Sequence, residues 1–334
     1  MMGNKYSVSR RTLMTGTALI ASALPFAGVA ADSPELAPDL SGVSILITGT
    51  SSGFGRLGAE YYARLGATVF ASMRNTPRPE AAELTNLAAN ENLDIRVLEI
   101  DVLSDEQVQA GIDQVLAATG GTLDVLINNA GIGITGPVEV QDLEATKLAF
   151  DTNVFGCQRM ARAVLPAMRE AGRGLIVPIS SQIGRLVVPG GGHYPATKFA
   201  LEAMSEQMAY ELAAFGVDVS IIEPGGYPTK IWVNRNRYTG ALKDRTPTET
   251  INAYGPLAAG MGQEDGSGRS TDPMDVPRAI ARLIAQPPGT RALRTAVHPA
   301  YRPQESVNAA TAKAQLAFLG ETRFGPAIKS VLNR

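Results

Sequence analysis

Seven short runs rich in apolar and β-branched residues, at 43–47, 68–72, 95–100, 123–127, 174–179, 217–222 and 293–297, alternate with longer segments whose apolar residues recur at helical spacing. Continuous apolar runs predict strands buried on both faces, and a helical segment between successive runs predicts parallel crossovers. The expected class is therefore α/β: a doubly wound, seven-stranded, mainly parallel sheet with helices on both faces. The length suits one large domain, 41–334, entered through a linker at 32–40.

In such a sheet, ligands bind beyond the carboxyl ends of the strands, and several of those ends carry unusual residues. The first reads Thr48-Gly49-Thr50-Ser51-Ser52-Gly53-Phe54-Gly55. Its glycines permit a tight turn, close approach of a pyrophosphate to the backbone, and tight packing of the next helix, whose N-terminus favours an anion. That arrangement predicts a Rossmann-type dinucleotide site. After the second run no acid stands between Val69 and Arg78, where a carboxylate would bind a free ribose 2′-hydroxyl. Arg74 is there instead, and its planar fork of donors suits a 2′-phosphate, so NADP(H) is expected in preference to NAD(H). Asp101 and Val102 follow the third run and are placed at the adenine end, although Asp101 also reads as a helix cap. Asn128 and Asn129 follow the fourth and can bridge neighbouring strand ends, while small Ala130 and Gly131 admit the cofactor ribose. Asn153 lies in the helix beyond, as an amide beside an apolar stripe, where a buried group satisfied by backbone is the plain alternative.

The segment 179–203 brings in reactive groups: a hydroxyl at Ser181, a phenol at Tyr194 and an amine at Lys198. If a helix starts near Tyr194, the four-residue spacing puts phenol and amine on one face, about one turn apart. A free tyrosine has a pKa near 10, and an adjacent ammonium favours its phenolate. With Ser181 holding a substrate oxygen, Tyr194 could give or take its proton in hydride transfer at a carbonyl or secondary alcohol.

The first residues read as an address and not as fold. Ser9-Arg10-Arg11-Thr12-Leu13-Met14 precedes a modest apolar run, 15–29, ending in small residues, which resembles a twin-arginine signal occupying 1–31 with cleavage after Ala30 or Ala31. The expected partner is the twin-arginine export machinery and the expected location periplasmic or otherwise exported, without a stable membrane anchor, because the run is shorter than a spanning helix. Losing Lys5, Arg10 and Arg11 with the signal shifts the formal charge from −2 to −5, which argues against a nucleic-acid partner. One cysteine, Cys157, and two histidines, His193 and His298, exclude an intramolecular disulfide and make a metal site improbable.

Taken together these residues resemble the short-chain dehydrogenase/reductase family from Leu40 to about Pro299, because the glycine turn, Asn128-Asn129-Ala130-Gly131, Asn153, Ser181, Tyr194, Lys198 and Pro224-Gly225 through Thr229 occur in family order. The resemblance implies Tyr194 as general acid/base, Ser181 as the residue orienting substrate, Lys198 as the group that lowers the tyrosine pKa and binds nicotinamide ribose, and Asn153 as support for a proton relay through water. It also implies Thr229 at the nicotinamide amide and a homo-oligomer. Residues 152–162 with 291–295 look like the branch containing steroid and retinoid dehydrogenases. Pro195 departs from the family's small residue and requires Tyr194 at the helix start; His193 reads as a rim or capping residue.

The stretch 226–272, rich in Gly, Pro and Asn, is expected to be an irregular, substrate-covering loop. Its Tyr227, Ile231, Trp232, Val233, Tyr238, Leu242 and Tyr254 suggest a partly apolar pocket, and no basic cluster marks an acidic substrate. The alternatives to an oxidoreductase of small carbonyl or alcohol substrates are a non-catalytic nucleotide-binding regulator and a dehydratase or epimerase without net cofactor turnover.

Overall fold

The computed structural model describes residues 37–334; the arginine pair and the expected export signal lie outside the described residues. In chain order, β1 (Ser44–Ile47) leads to α1 (Gly53–Arg64), β2 (Thr68–Met73) to α2 (Pro79–Glu91), and β3 (Ile95–Glu99) to α3 (Asp105–Ala118). β4 (Val125–Asn128) precedes α4 (Leu143–Phe150), which continues through one π-helical turn, Asp151–Phe155, into α5 (Gly156–Ala171). β5 (Gly174–Pro178) is followed by a 3-10 turn, Gln182–Gly184, and then α6 (Tyr194–Leu212). β6 (Val217–Val219) and β7 (Ile221–Pro224) lead into α7 (Ile231–Asp244), α8 (Thr248–Ala253), α9 (Pro256–Ala259) and α10 (Asp275–Ala285). β8 (Arg294–Val297), α11 (Gln304–Leu319) and α12 (Gly325–Leu332) close the chain.

Six strands form one parallel sheet in the order β3-β2-β1-β4-β5-β6. The winding reverses between β1 and β4, and the loops leaving those two strands diverge to open a crevice above the sheet. Side chains alternate strictly between the two faces. Ile45 and Ile47 join Val69, Ala71, Ile127 and Val177 under α1 and α10, whereas Leu46 joins Phe70, Leu126 and Ile176 under α3, α5 and α6. Both faces being covered explains why the central runs, β1, β4 and β5, are almost wholly apolar.

The expected seven-stranded sheet is observed as six strands plus a parallel pair, β7-β8. The run 217–222 divides at Ser220, whose N–H still bonds Ile176 O at 3.0 Å while its hydroxyl bonds the carbonyl of Ala292. From Ile221 onward the backbone pairs with β8, touching β5 again only at the Ile179–Ile222 bridge. One polar residue thus hands the ladder from one neighbour to the other.

The segment 226–272 also departs from expectation, since it contains α7, α8 and α9 and is not one irregular loop. Two of its Gly and Pro residues mark a helix start: Pro256 lies in the first turn of α9 and Gly255 precedes it with φ +50°. A third apolar cluster, Ile132, Ile134, Val140, Ala145, Ala149, Leu242, Ala258 and Met261, fastens these helices over the crevice.

Candidate active site

The crevice is a cleft of about 910 Å³. Its floor begins at the first turn, where Gly49 has φ +73° and a Cβ would lie 2.9 Å from Ala130 Cα. At Gly55 a Cβ would come within 2.5 Å of both Gly49 O and Asn129 Nδ2, so only glycine lets α1 approach β4 this closely. Asn129 donates from Nδ2 to Thr48 O (2.8 Å) and Gly49 O (3.2 Å), and Thr48 Oγ1 accepts from the backbone of Asn129 (3.0 Å) and Ala130 (2.9 Å). These bonds fix the turn and aim the N-terminus of α1 into the cleft. Ser52, its N-cap, makes no side-chain capping bond, and the first turn carries no acid. Unsatisfied N–H groups and the helix dipole together suit a phosphate.

At the far end of the floor Arg74 leaves β2. Arg78 beside it is paired with Glu80 at 2.9 Å, and that contact holds the Glu80 carboxyl down to about 2. Arg74 has no carboxylate partner among the described residues; its Nη2 donates to the Tyr238 hydroxyl at 2.8 Å. Burial pushes the Tyr238 phenol up, but hydrogen bonds from Arg74 and Arg237, with their charges, outweigh it and hold the pKa below the ordinary value. Asp101 lines the same end, accepting from Leu103 N at 3.0 Å, while the cap of α3 is Ser104 and not Asp101.

At the other end α6 begins at Tyr194, with Pro195 in its first turn, where a missing N–H leaves no intrahelical bond unmade. His193 is the N-cap by position, and its Nδ1 meets Thr146 Oγ1 at 2.8 Å. Lys198 is buried, with Nζ 5.7 Å from the Tyr194 ring centre and donating to Ile179 O at 2.8 Å. That carbonyl at the end of β5 holds the ammonium in place and leaves it other donors. Ser181 caps the 3-10 turn and lines the cleft, and its Oγ accepts from Ile183 N at 3.3 Å.

One cleft brings together Gly49, Ser51, Ser52, Gly53, Phe54, Arg74, Asp101, Val102, Asn129, Ala130, Gly131, Ser181, Tyr194, Lys198, Pro224, Gly225 and Thr229. Thr48, Gly55 and Asn153 lie behind it, buried. The Asn153 side chain is occupied: Oδ1 accepts from Ile132 N (2.8 Å), and Nδ2 donates to Ile132 O (2.9 Å) and Thr197 Oγ1 (3.0 Å). Thr197 Oγ1 in turn donates to Tyr194 O at 2.8 Å. Asn153 therefore ties the loop after β4 to the start of α6, and its side chain does not face the cleft.

Tyr238, expected as a pocket aromatic, lines the cleft and also meets Arg74. Two arginines escape the sequence reading. Arg235 and Arg269 are brought over the Trp232 ring, their guanidinium carbons 4.5 and 3.7 Å from its centre. Arg269 is neutralised by Glu264 at 2.7 Å, whereas Arg235 has no carboxylate partner among the described residues. No local signal marks two arginines so far apart in the chain, and only one of them is left without a carboxylate among the described residues. Trp232 itself lines the cleft as a wall, with Nε1 donating to Tyr227 O at 2.7 Å.

A glycine-floored anion cradle at one end of the sheet crevice and a Ser, Tyr and Lys set at the other define a nicotinamide-dependent oxidoreductase cleft. The family model described as short chain dehydrogenase matches residues 44–239. A 3-ketodihydrosphingosine reductase of Bacteroides thetaiotaomicron is 39% identical over 203 residues, 60% of this chain and 70% of that protein. Retinol dehydrogenase 8 of Bos taurus is 34% identical over 271 residues, 77% of this chain and 83% of that protein. A solved short chain dehydrogenase/reductase from Burkholderia phymatum, in complex with NAD, has a TM-score of 0.67 at 25% identity, covering 85% of this chain and 97% of that one. The chain belongs to the short-chain dehydrogenase family, and it is an NAD(P)-dependent oxidoreductase acting on CH–OH and C=O groups.

Proposed function

We propose that the protein is an exported, NADP(H)-preferring carbonyl reductase or alcohol dehydrogenase of a small to medium, partly apolar substrate, working as a homo-oligomer. The observation that carries this reading is that Ser181, Tyr194 and Lys198 line the same cleft as Arg74, an arginine without a carboxylate partner among the described residues. The bound dinucleotide supplies or accepts the hydride. Ser181 holds the substrate oxygen, Tyr194 moves a proton between its hydroxyl and that oxygen, and the Lys198 ammonium favours the phenolate that remains after donation. Val187, Val188 and Leu257 are exposed apolar residues near this end, and Val188 and Leu257 line the cleft, which supports an apolar substrate wall. The two relatives are by name a keto-group reductase and an alcohol dehydrogenase, which supports the reaction class in both directions.

Oxidation of NADPH and NADH by the purified protein across a panel of ketones and quinones tests this reading. NADPH turnover with at least one carbonyl is expected. Arg74→Ala should weaken NADPH by about 10- to 150-fold, the value of one charge-assisted hydrogen bond, and leave NADH nearly unchanged. Product formed without nicotinamide oxidation, or equal losses for both cofactors, would sink the respective claim. Export rests on Arg10 and Arg11, and recovery of the chain only from the cytoplasmic fraction of its own cells would refute it.

A further inference from the structure

Six residues of α7 line the cleft, and four of them, Ile231, Asn234, Arg235 and Tyr238, recur at the spacing of one helical face, with Trp232 and Arg237 at its flanks. The ends of that face are anchored at the two ends of the cofactor floor. Thr229, just before α7, lies 3.6 Å from where a Cβ at Gly53 would stand, beside the N-terminus of α1. Tyr238 is bonded to Arg74 at the end of β2. Between these anchors stands Arg235, six residues or roughly 9 Å beyond Thr229 and three residues or roughly 4.5 Å short of Tyr238. Its aliphatic stem lies over Gly133, whose added Cβ would stand 3.0 Å from Arg235 Cγ, just past the Asn129-Ala130-Gly131 turn.

Arg235 is also a cation without an ionic partner among the described residues. It makes no ion pair with a described residue, and its buried Nε lacks a hydrogen-bond partner. Burial holds its pKa below the usual value, and the fields of Glu264, Arg269 and Tyr194 all reach it. Stacking on Trp232 fixes its plane without satisfying its donors. A half-buried guanidinium left unpaired is costly unless an anion arrives.

We propose that α7 is a strap lying along the dinucleotide and that Arg235 is its pyrophosphate clamp, a cofactor-binding residue outside the glycine turn. The proposal rests on the reading of this cleft as the dinucleotide site. A dinucleotide stretched from the Tyr194 end to Arg74 carries its two bridging phosphates in the middle, under Arg235. The phosphates then face the N-terminus of α1 on one wall and a guanidinium on the other, so the strap closes with the cofactor in place.

Calorimetric binding to the full chain separates this role from every neighbouring one, using NADPH, NADH, 2′-phospho-ADP-ribose and adenosine 2′-monophosphate as probes. Arg235→Met should weaken NADPH, NADH and 2′-phospho-ADP-ribose alike, by about 10- to 150-fold. It should leave adenosine 2′-monophosphate, which has no pyrophosphate, unchanged. Arg235→Lys should recover part of the loss, which a collapsed fold would not. Arg74→Ala should give the complementary pattern, weakening NADPH and adenosine 2′-monophosphate but not NADH. Arg235→Met with unchanged affinity for NADPH and NADH overturns the clamp, and a raised KM for carboxylate-bearing ketones in that variant would assign Arg235 to the substrate instead. A wild-type chain that bound none of the dinucleotides would overturn the reading of the cleft as well.

Discussion

The floor and the roof of the cleft are held in different ways. On the floor, several side chains are held by fixed hydrogen bonds, most of them to backbone: Thr48 and Asn129 lock the glycine turn, Asn153 clamps Ile132 to Thr197, and Lys198 is fixed by Ile179 O. The roof, α7 to α9, rests on a small satellite cluster of apolar residues and on side-chain contacts such as Arg74 to Tyr238 and Thr239 Oγ1 to Thr135 N. Two arginines stacked on one tryptophan complete it. A floor organised before ligand arrives can place reacting atoms, since no group needs to be ordered during the reaction. A roof resting on a small satellite cluster, apart from the main core, belongs to the lower-stability part of a fold and is suited to opening. The comparison assigns chemistry to the floor and retention of ligands to the roof, and variants in each should separate the two.

The largest effect belongs to the floor. Tyr194→Phe removes the transferable proton while keeping the ring beside Lys198, so kcat should fall by about 10²- to 10⁴-fold with little change in NADPH affinity. Lys198→Ala should reduce both if, as proposed, the ammonium serves phenol and ribose together. Steady-state kinetics combined with direct binding would expose an error: a Tyr194→Phe enzyme that kept most of its kcat where chemistry limits the rate would move the acid/base role elsewhere.

The same division explains what could be read in the sequence. Floor residues are chosen for local reasons that leave a mark in residue type and spacing: glycine where a Cβ would meet Ala130, and Tyr194 and Lys198 one turn apart on one helix. Alternating faces likewise make the strands visible as apolar runs. The roof is built from residues that meet across long stretches of chain, such as Arg74 with Tyr238 and Arg235 with Trp232 and Arg269. Their positions follow from the packing of α7, and its polar residues conceal a helix within a Gly-, Pro- and Asn-rich segment. The split at Ser220 escaped for a related reason: both halves of that run are buried, and only the change of hydrogen-bonding neighbour separates them. Asn153 was visible as a residue out of place, but the partners it holds were not.

A smaller effect is expected on the roof. Trp232→Phe retains a ring but loses area under Arg235 and the bond to Tyr227 O, and each cation–π contact is worth about 0.5 to 1 kcal/mol, or roughly 2- to 5-fold. Cofactor affinity and substrate KM should each weaken by about that factor, with kcat at saturation retained. Trp232 is the only tryptophan, so its emission in the wild-type chain reports closure directly, and quenching on addition of NADPH is expected. A fall of more than about tenfold in saturated kcat would place Trp232 with the floor and break the comparison.

The smallest effect lies beneath the floor, where β7 ends. Arg294 meets three carboxylates, the buried Glu202 at 2.8 Å and Glu223 at 3.6 Å and the partly buried Glu206 at 2.6 Å, and Glu223 immediately precedes Pro224 of the cleft. Burial and the adjacent Glu202 charge push the Glu223 carboxyl up to about 8, against the lowering influence of Asn308 Nδ2 at 2.7 Å and of Arg294 and Arg185. Because the folded value exceeds the unfolded one near 4.3, the native state holds a proton that the unfolded chain has lost. The stability this contributes is full below about pH 4 and declines as pH rises toward about 8. Glu223→Gln fixes the neutral form at every pH and keeps an amide for Asn308. The variant should therefore stay close to the wild type near pH 5 and melt at a higher temperature near pH 8.5. Thermal melts across that range decide it: parallel pH profiles for the two proteins would mean that Glu223 is ionised in the native state and that the floor stands on a fully charged cluster.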